Sequence, residues 1–336
     1  MREFDRIKRF AKSVDFFSDR DTVERVVDSI SEKMGVPVRR LVEGKEELAR
    51  YVVEGSSLSR ELVLKNSALE QAIFSFLFGY NRLLVIGGDP GNGKSLLATD
   101  IRRFSQVFRA IDENLEFPLA FIPFDKVRET FFLRLSERLG YKVPLPKGTS
   151  PDWMMETVER VMASTTFFVL DNYPKSRVIV EAPLFSSRGE NIIYEAEGRD
   201  YGIQTIIVHS PEMYLEIINR GSRDVDTSGQ PEAMVQLRMR RLKSITGDAN
   251  FDFDTENKIL RGQWETMLRG RKSLIIEWSP NELREPFEET RKEFITQNQR
   301  PDLLTPLPLG PYIKSQFDLI FDLFGDKSLL KLVSRP

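Results

Sequence analysis

Residues 83–95 read Leu-Leu-Val-Ile-Gly-Gly-Asp-Pro-Gly-Asn-Gly-Lys-Ser, and the fold class is inferred from these residues first. It opens with a run of large apolar residues, which is typical of a buried strand. Glycines follow at positions 87, 88, 91 and 93, and glycine tolerates the positive φ that a tight backbone turn requires. Leu96-Leu97-Ala98 come next and are compatible with a helix. The stretch therefore predicts a strand, a glycine-rich turn and the start of a helix.

The same stretch contains the motif G-x-x-x-x-G-K-[ST], known as a P-loop, with Gly88, Gly93, Lys94 and Ser95 at its fixed positions. In a P-loop, backbone N–H groups face a bound phosphate chain at the start of a helix. The lysine reaches the β- and γ-phosphates, and the hydroxyl binds Mg²⁺. The sequence therefore predicts a site for ATP or GTP with Mg²⁺. The residues expected to contact the nucleotide are Gly88, Asp89, Pro90, Gly91, Asn92, Gly93, Lys94, Ser95 and Leu96.

The composition excludes several classes of protein. Of the 336 residues, 40% are hydrophobic and 30% are charged, as expected for a globular protein with a sizeable core. There is no cysteine, and a single histidine, His209, so disulfides, thiolate metal sites and histidine-rich zinc sites are not expected. A net charge of −2 gives no reason to expect a nucleic-acid partner. Without a membrane-length apolar stretch or a signal peptide, the sequence predicts a cytoplasmic protein with no membrane association.

Hydrophobic periodicity divides the chain into three parts. Residues 1–80 carry apolar residues at helical spacing and form an N-terminal helical region. Residues 81–247 alternate between strand and helix candidates, with a polar loop at 219–233 that is expected to act as a lid. Residues 248–336 form a C-terminal extension with a Pro-rich linker at 301–311 and an amphipathic tail helix.

The expected fold is α/β, with a P-loop parallel sheet sandwiched between helices. The strand candidates of the core are Leu83 to Ile86, Leu119 to Pro123, Thr166 to Leu170, Val178 to Val180 and Thr205 to Val208. The helix candidates are Ser95 to Phe108, Val127 to Leu139 and Asp152 to Ala163. A further strand is expected at Ser273 to Trp278, and the apolar stripe of the tail helix is expected to dock on the core.

A P-loop also requires an acidic residue for the metal, usually at the end of a buried strand beside the P-loop strand. Two positions fit. Asp171 follows Thr-Thr-Phe-Phe-Val-Leu, and Glu181 follows Val-Ile-Val. The segment 172–177 between them is too short for a helical crossover, so one of the two strands is expected to belong to a hairpin. Each acid could instead be a strand-end carboxylate that faces water.

The order of these motifs resembles that of P-loop kinases of the uridine kinase and phosphoribulokinase type. The matching parts are residues 88–95, Asp125 after a strand, Pro151-Asp152, Asp171 with Ser176-Arg177, Glu181, and a loop with Arg220 and Arg223. The segment Asp171-Asn172-Tyr173-Pro174-Lys175 also resembles the D-G-F-P-R segment of adenylate kinases. Asp125-Lys126-Val127-Arg128 is similar to the D-x-x-R of zeta-toxin kinases.

The resemblance implies catalytic roles. Lys94 would contact the transferring phosphoryl group, and Arg177, Arg220 and Arg223 would contact phosphate oxygens. Asp125 would act as the base or orient the acceptor, because a carboxylate at this end of a strand lies in the crevice where α/β proteins bind ligands. The alternative is that Asp125 is a helix N-cap.

The metal would lie at Ser95 together with one of the two acids. The order of the motifs favours Glu181 as the metal-associated acid, and Asp171 is the second candidate. A longer apolar run before Asp171 is the observation in its favour.

Three functions remain as hypotheses. The first is a kinase that uses ATP or GTP with Mg²⁺ and transfers the γ-phosphoryl group to an unidentified small-molecule or nucleotide-type acceptor. The second is a regulatory or mechanical P-loop ATPase with Asp171 as its acid, although Asn172 stands where a water-activating Glu would be expected. The third is a nucleotide-binding scaffold with little turnover. The terminal helical regions are candidate contacts for a protein partner or a second copy.

Overall fold

The computed structural model describes residues 67–77, 79–88, 92–95, 97–98, 101–102, 119–143, 152–182, 190–199, 201–210, 253–278 and 309–333. Several sequence predictions lie outside these ranges. They concern the helical region before residue 67, the loop at 219–233 with Arg220 and Arg223, and four of the nucleotide-contact residues, Asp89, Pro90, Gly91 and Leu96.

Five parallel strands form one sheet. They are β1 (Leu83–Gly87), β2 (Leu119–Pro123), β3 (Arg177–Glu181), β4 (Ile203–His209) and β5 (Ser273–Glu277). Their order across the sheet is β2-β3-β1-β4-β5, so β1 lies at the centre with β3 and β4 as its neighbours. Parallel strands that are covered on both faces have nearly continuous apolar sequences, and for this reason the strands could be predicted from the sequence. The predicted α/β fold with a parallel sheet is confirmed.

Seven helices are described around the sheet. They are α1 (Ser67–Leu77), α2 (Phe124–Leu139), α3 (Asp152–Asn172), α4 (Glu190–Glu197), α5 (Phe253–Met267), α6 (Leu309–Phe324) and α7 (Asp326–Val333). Alternate strand residues such as Val85 and Val180 join one hydrophobic cluster with buried residues of α2 to α7. The other strand residues, among them Phe121, lie outside that cluster and face the second side. There the guanidinium of Arg102 lies 4.8 Å from the Phe121 ring, which places the helix that follows β1 on the second face.

The prediction of a strand at Thr166 to Leu170 is wrong, because these residues are helical and lie near the end of α3. The hydroxyl of Thr166 donates to the carbonyl of Met162, one turn earlier, at 2.8 Å. The helix is covered by the sheet on one side and by α6 on the other, where Phe168 stacks on Tyr312 at 4.0 Å. A helix buried on two sides loses its polar stripe, and a short apolar run then looks like a strand. The expected hairpin before β3 is therefore also wrong.

The C-terminal part of the chain belongs to the same unit as the rest. Strand β5 pairs with β4, so the sheet continues past residue 247, where the sequence analysis ended the core. Helix α6 docks on α2 and α3, as expected from its apolar stripe, with Phe317 and Phe321 each 5.4 Å from the ring of Phe131. Arg134 of α2 holds Asp318 of α6 with a forked contact at 2.8 Å. Across the described ranges, no helix combines the length and apolar character needed to cross a membrane.

Candidate functional site

The candidate site lies at the carboxyl edge of the sheet, which we define as the residues that end or directly follow the five strands. The strand register places Glu181 opposite both Ile86 and Pro123. The end of β3 therefore lies beside the start of the glycine-rich loop after β1 and beside the start of α2. In open parallel sheets this edge is the usual place for ligands.

The loop after β1 needs glycine at two positions. Gly88 has a φ of +131°, and a Cβ atom there would lie 2.1 Å from the carbonyl oxygen of Val208, so no side chain fits. Gly93 has a φ of +85°. The chain becomes helical at Lys94 and Ser95, and Leu97 N donates to the Gly93 carbonyl at 3.0 Å. The first N–H groups of a helix have no acceptor within the helix and carry its positive dipole end, so this turn presents donors suited to an anion.

Ser95 and Glu181 form the central contact of the site. The Ser95 hydroxyl donates to Oε1 of Glu181 at 2.7 Å. The Glu181 residue is only 7% exposed, and burial raises the pKa of its carboxyl. The charge of Lys94 and the Ser95 hydrogen bond oppose that rise in pKa, whereas the nearby carboxylate of Asp125 adds to it. The Glu181 carboxylate is therefore acted on by the side chains of Lys94, Ser95 and Asp125.

Asp125 lies in the first turn of α2 with its side chain exposed. Pro123 occupies the N-cap position of this helix, and no side-chain hydrogen bond caps it. The interpretation of Asp125 as an N-cap is therefore wrong, because the helix begins one residue before it. Its carboxylate is instead free of that local role and faces solvent beside Glu181.

Arg177 lies at the opposite, amino edge of the sheet, because it begins β3 rather than ending it. Its guanidinium donates to the backbone carbonyls of Asn81 at 2.6 Å, Gly79 at 2.9 Å and Phe76. Burial, and then the neighbouring charge of Arg82, lower its pKa to about 10. The predicted contact between Arg177 and a phosphate at the loop is therefore corrected, because its donors close the end of α1.

Asp171 also lies at the amino edge, because α3 runs back across the sheet before β3 begins. Its carboxylate accepts from the hydroxyl of Tyr201 and pairs with Arg199 at 3.1 Å, and its side chain is 48% exposed. Arg82 at the start of β1 donates to the adjacent Leu170 carbonyl at 2.7 Å. Asp171 therefore lies at the other end of β1 from Ser95, and its prediction as a metal-associated acid is corrected.

The residues around Ser95 fit a magnesium ion that is held mainly by other groups. Within the described part of the chain, no group of three or more His, Cys, Asp or Glu side chains is placed to hold a metal. Mg²⁺ commonly takes one or two protein ligands and completes its octahedron with phosphate oxygens and water. A hydroxyl and one adjacent carboxylate, as at Ser95 and Glu181, are sufficient for that mode of binding.

One residue that contacts the glycine-rich loop, Trp278, was not predicted from the sequence. Trp278, which directly follows β5, donates its ring Nε1–H to the backbone carbonyl of Asn92 at 3.1 Å. The sequence predicted the strand that ends here, but the contact depends on the order and register of β4 and β5, which no local pattern reveals. The structure thus brings Lys94, Ser95, Glu181 and Asp125 together at one edge.

The chain matches no protein-family model, and no curated protein is detectably similar to it in sequence.

Proposed function

We propose that this protein is a phosphotransferase that uses a nucleoside triphosphate with Mg²⁺ and transfers the γ-phosphoryl group to a small-molecule or nucleotide-type acceptor. The observation that carries the proposal is the 2.7 Å hydrogen bond between Ser95 and Glu181. It joins the hydroxyl at the end of a G-x-x-x-x-G-K-S motif to the acid at the end of the neighbouring parallel strand. In P-loop enzymes, the hydroxyl of this motif and a nearby acid together hold the metal that accompanies the nucleotide.

The donor half of the proposed site is the loop from Gly88 to Ser95. The positive φ values at Gly88 and Gly93 and the helix start at Lys94 favour a loop whose N–H groups converge on the β- and γ-phosphates. Lys94 is buried beside Glu181, where its ammonium group would neutralise charge on the transferring phosphoryl group. When bound, Mg²⁺ would supply further charge neutralisation at Ser95 and Glu181.

The acceptor half of the proposed site begins at Asp125. Its exposed carboxylate lies close enough to Glu181 to act on it electrostatically, so an acceptor approaching from solvent would meet both the donor and a base. In the transfer, the acceptor oxygen forms a bond to Pγ while its proton passes to Asp125. The bond between Pγ and the bridging oxygen breaks, and the products are the phosphorylated acceptor and a nucleoside diphosphate.

The location of Asp171, at the amino edge of the sheet and away from Ser95, favours this function over a regulatory ATPase. That alternative took Asp171 as its metal acid, and the residue lies at the amino edge, paired with Arg199. Glu181 supplies the metal-associated acid, and Asp125 is available for an acceptor rather than for water alone.

The proposal is tested with γ-labelled ATP and GTP. The protein is incubated with Mg²⁺ and with pools of nucleosides, nucleotides, sugars, sugar nucleotides and proteins, and the Lys94→Ala variant serves as the control. Transfer of label to an acceptor by the wild-type protein, lost in Lys94→Ala, is the expected result. Release of free phosphate without any labelled acceptor would indicate a hydrolase, and no loss of label from the nucleotide would contradict a catalytic role.

A further inference from the structure

We propose that Trp278 is a positioning residue that holds the glycine-rich loop in its phosphate-binding conformation. The inference rests on the proposed function and deepens it, because it makes the end of β5 part of the donor site. Trp278 is 6% exposed and is fixed at its own backbone, where its N–H donates to the His209 carbonyl at 3.1 Å. Its indole is thereby held under the loop.

Three contacts join the turn at Asn92 and Gly93 to the sheet. The indole Nε1–H of Trp278 donates to the Asn92 carbonyl at 3.1 Å. The side-chain amide of Asn92 donates to the Val208 carbonyl at 3.3 Å. The indole also packs against Gly93, where a Cβ atom would lie 3.1 Å from its Cζ2 atom, so any larger residue there would require the ring to shift.

The contact with the Asn92 carbonyl determines the direction of the next donor. The described peptide bonds are trans, and in a trans peptide the carbonyl and the following N–H point in opposite directions. Because Trp278 holds the Asn92 carbonyl toward the sheet, the N–H of Gly93 points away from the indole. It joins the first N–H groups of the helix at Lys94 and Ser95, which are the groups that a phosphate would meet.

The inference predicts a loss of nucleotide affinity without a loss of fold. Trp278→Phe keeps an aromatic ring against Gly93 but removes the Nε1–H donor, and Trp278→Ala removes both. Loss of one hydrogen bond that orients the loop should raise the Kd for MgATP by about fivefold in Trp278→Phe, with a larger rise in Trp278→Ala. The matched control is Trp264→Phe, a buried tryptophan of α5 whose ring contacts His209 edge to face on the other side of the sheet.

The test combines calorimetric titration with MgATP, thermal unfolding, and hydrogen exchange of the amides at 92–95 in the nucleotide-free protein. We expect faster exchange at these amides and weaker binding in Trp278→Phe. Trp264→Phe should lower the Tm but bind MgATP as the wild type does. If Trp278→Ala does not fold, Trp278→Phe still decides the result. Unchanged affinity and exchange in a folded Trp278 variant would overturn this inference alone, whereas a wild-type protein that binds no triphosphate would overturn the proposed function together with it.

Discussion

The two edges of the sheet both carry charged side chains, but they use them differently. At the amino edge, Arg82 donates to the carbonyls of Leu170, Tyr173 and Ser176. Arg177 donates to the carbonyl of Phe76 in the last turn of α1 and to those of Gly79 and Asn81 after it. At the carboxyl edge, the buried Glu181 accepts a hydrogen bond from Ser95 and feels the charges of Lys94 and Asp125.

This difference shows which charged residues serve the fold. The last carbonyls of a helix have no donor within the helix and carry its negative dipole end. Each guanidinium satisfies one such carbonyl, Leu170 or Phe76, together with carbonyls of the loop that follows, and so stabilises the fold. A carboxylate that is buried beside a lysine and a hydroxyl lowers the stability of the fold instead, because burial raises the free energy of its charged form. Such an arrangement is typical of a functional site rather than of a structural contact.

The first prediction compares the removal of one acid from each edge of the sheet. Glu181→Gln should reduce Mg²⁺-dependent phosphoryl transfer by about a thousandfold, because the charge stabilisation that a metal supplies is worth several kcal/mol. Asp171→Asn, the matched change at the amino edge, should leave turnover close to that of the wild type. Initial rates at saturating MgATP measure both. Equal losses in the two variants would contradict the functional difference between the edges.

The second prediction separates Asp125 from a carboxylate on the same helix. Asp125→Asn should lower turnover by about a hundredfold with little change in the Kd for MgATP, since a general base acts on the acceptor proton. The control is Glu129→Gln, one turn further along α2, where the wild-type carboxylate pairs with Lys126 at 3.0 Å in an exposed position. Full turnover of Asp125→Asn with the true acceptor would show that the carboxylate has no catalytic role.

The strands and the start of α3 could be predicted from the sequence because each produces a local signal, whereas α2 begins at Phe124 rather than at the predicted Val127. A parallel sheet covered on both sides requires apolar runs, and such runs mark β1, β2, β3 and β4. The same reasoning failed at Thr166 to Leu170, since α6 covers the outer side of α3 and removes the polar face that would identify a helix. The position of α6, more than a hundred residues later in the chain, together with the sheet on the other side accounts for that apolar run.

The candidate site was predictable where its residues belong to one motif, or end or closely follow a strand, as Glu181 and Asp125 do, but not where strand boundaries or strand pairing decide. The residues of the motif at Gly88 to Ser95 can be identified from the sequence alone. The choice between Asp171 and Glu181 depended on whether the apolar run before Asp171 is a strand or a helix. Arg177 was assigned to the wrong edge for a similar reason, because its place at the start of β3 follows from the strand boundary. Trp278 required the pairing of β5 with β4, which is a long-range property.

The third prediction concerns stability at the amino edge. Arg82→Ala should lower the free energy of unfolding by about 2 kcal/mol, because three backbone carbonyls lose a charged donor. Arg269→Ala, in the exposed turn after α5, is the matched control and should change stability by less than about 0.5 kcal/mol. Urea denaturation measures both, and the Kd for MgATP should stay unchanged. A loss of nucleotide affinity in folded Arg82→Ala would show that the amino edge also affects the nucleotide site, which would contradict the functional difference between the edges.

The smallest expected effect is a pH-dependent cost of burying Glu181. Burial raises the pKa of its carboxyl above 4.5 in the folded protein, so the native state binds this proton more tightly than the unfolded chain does. Stability from this group is therefore present below pH 4.5 and is lost as the pH rises through the folded-state pKa. Because Glu181→Gln does not titrate, the stability of the wild type relative to this variant should fall as the pH rises from 4.5 toward 7. Glu156→Gln, at an exposed position of α3, corrects for the removal of a charge, and urea denaturation from pH 4.5 to pH 8 measures all three proteins. A wild-type protein more stable than Glu181→Gln at pH 7 would mean that Lys94 and Ser95 together outweigh the burial of the carboxylate.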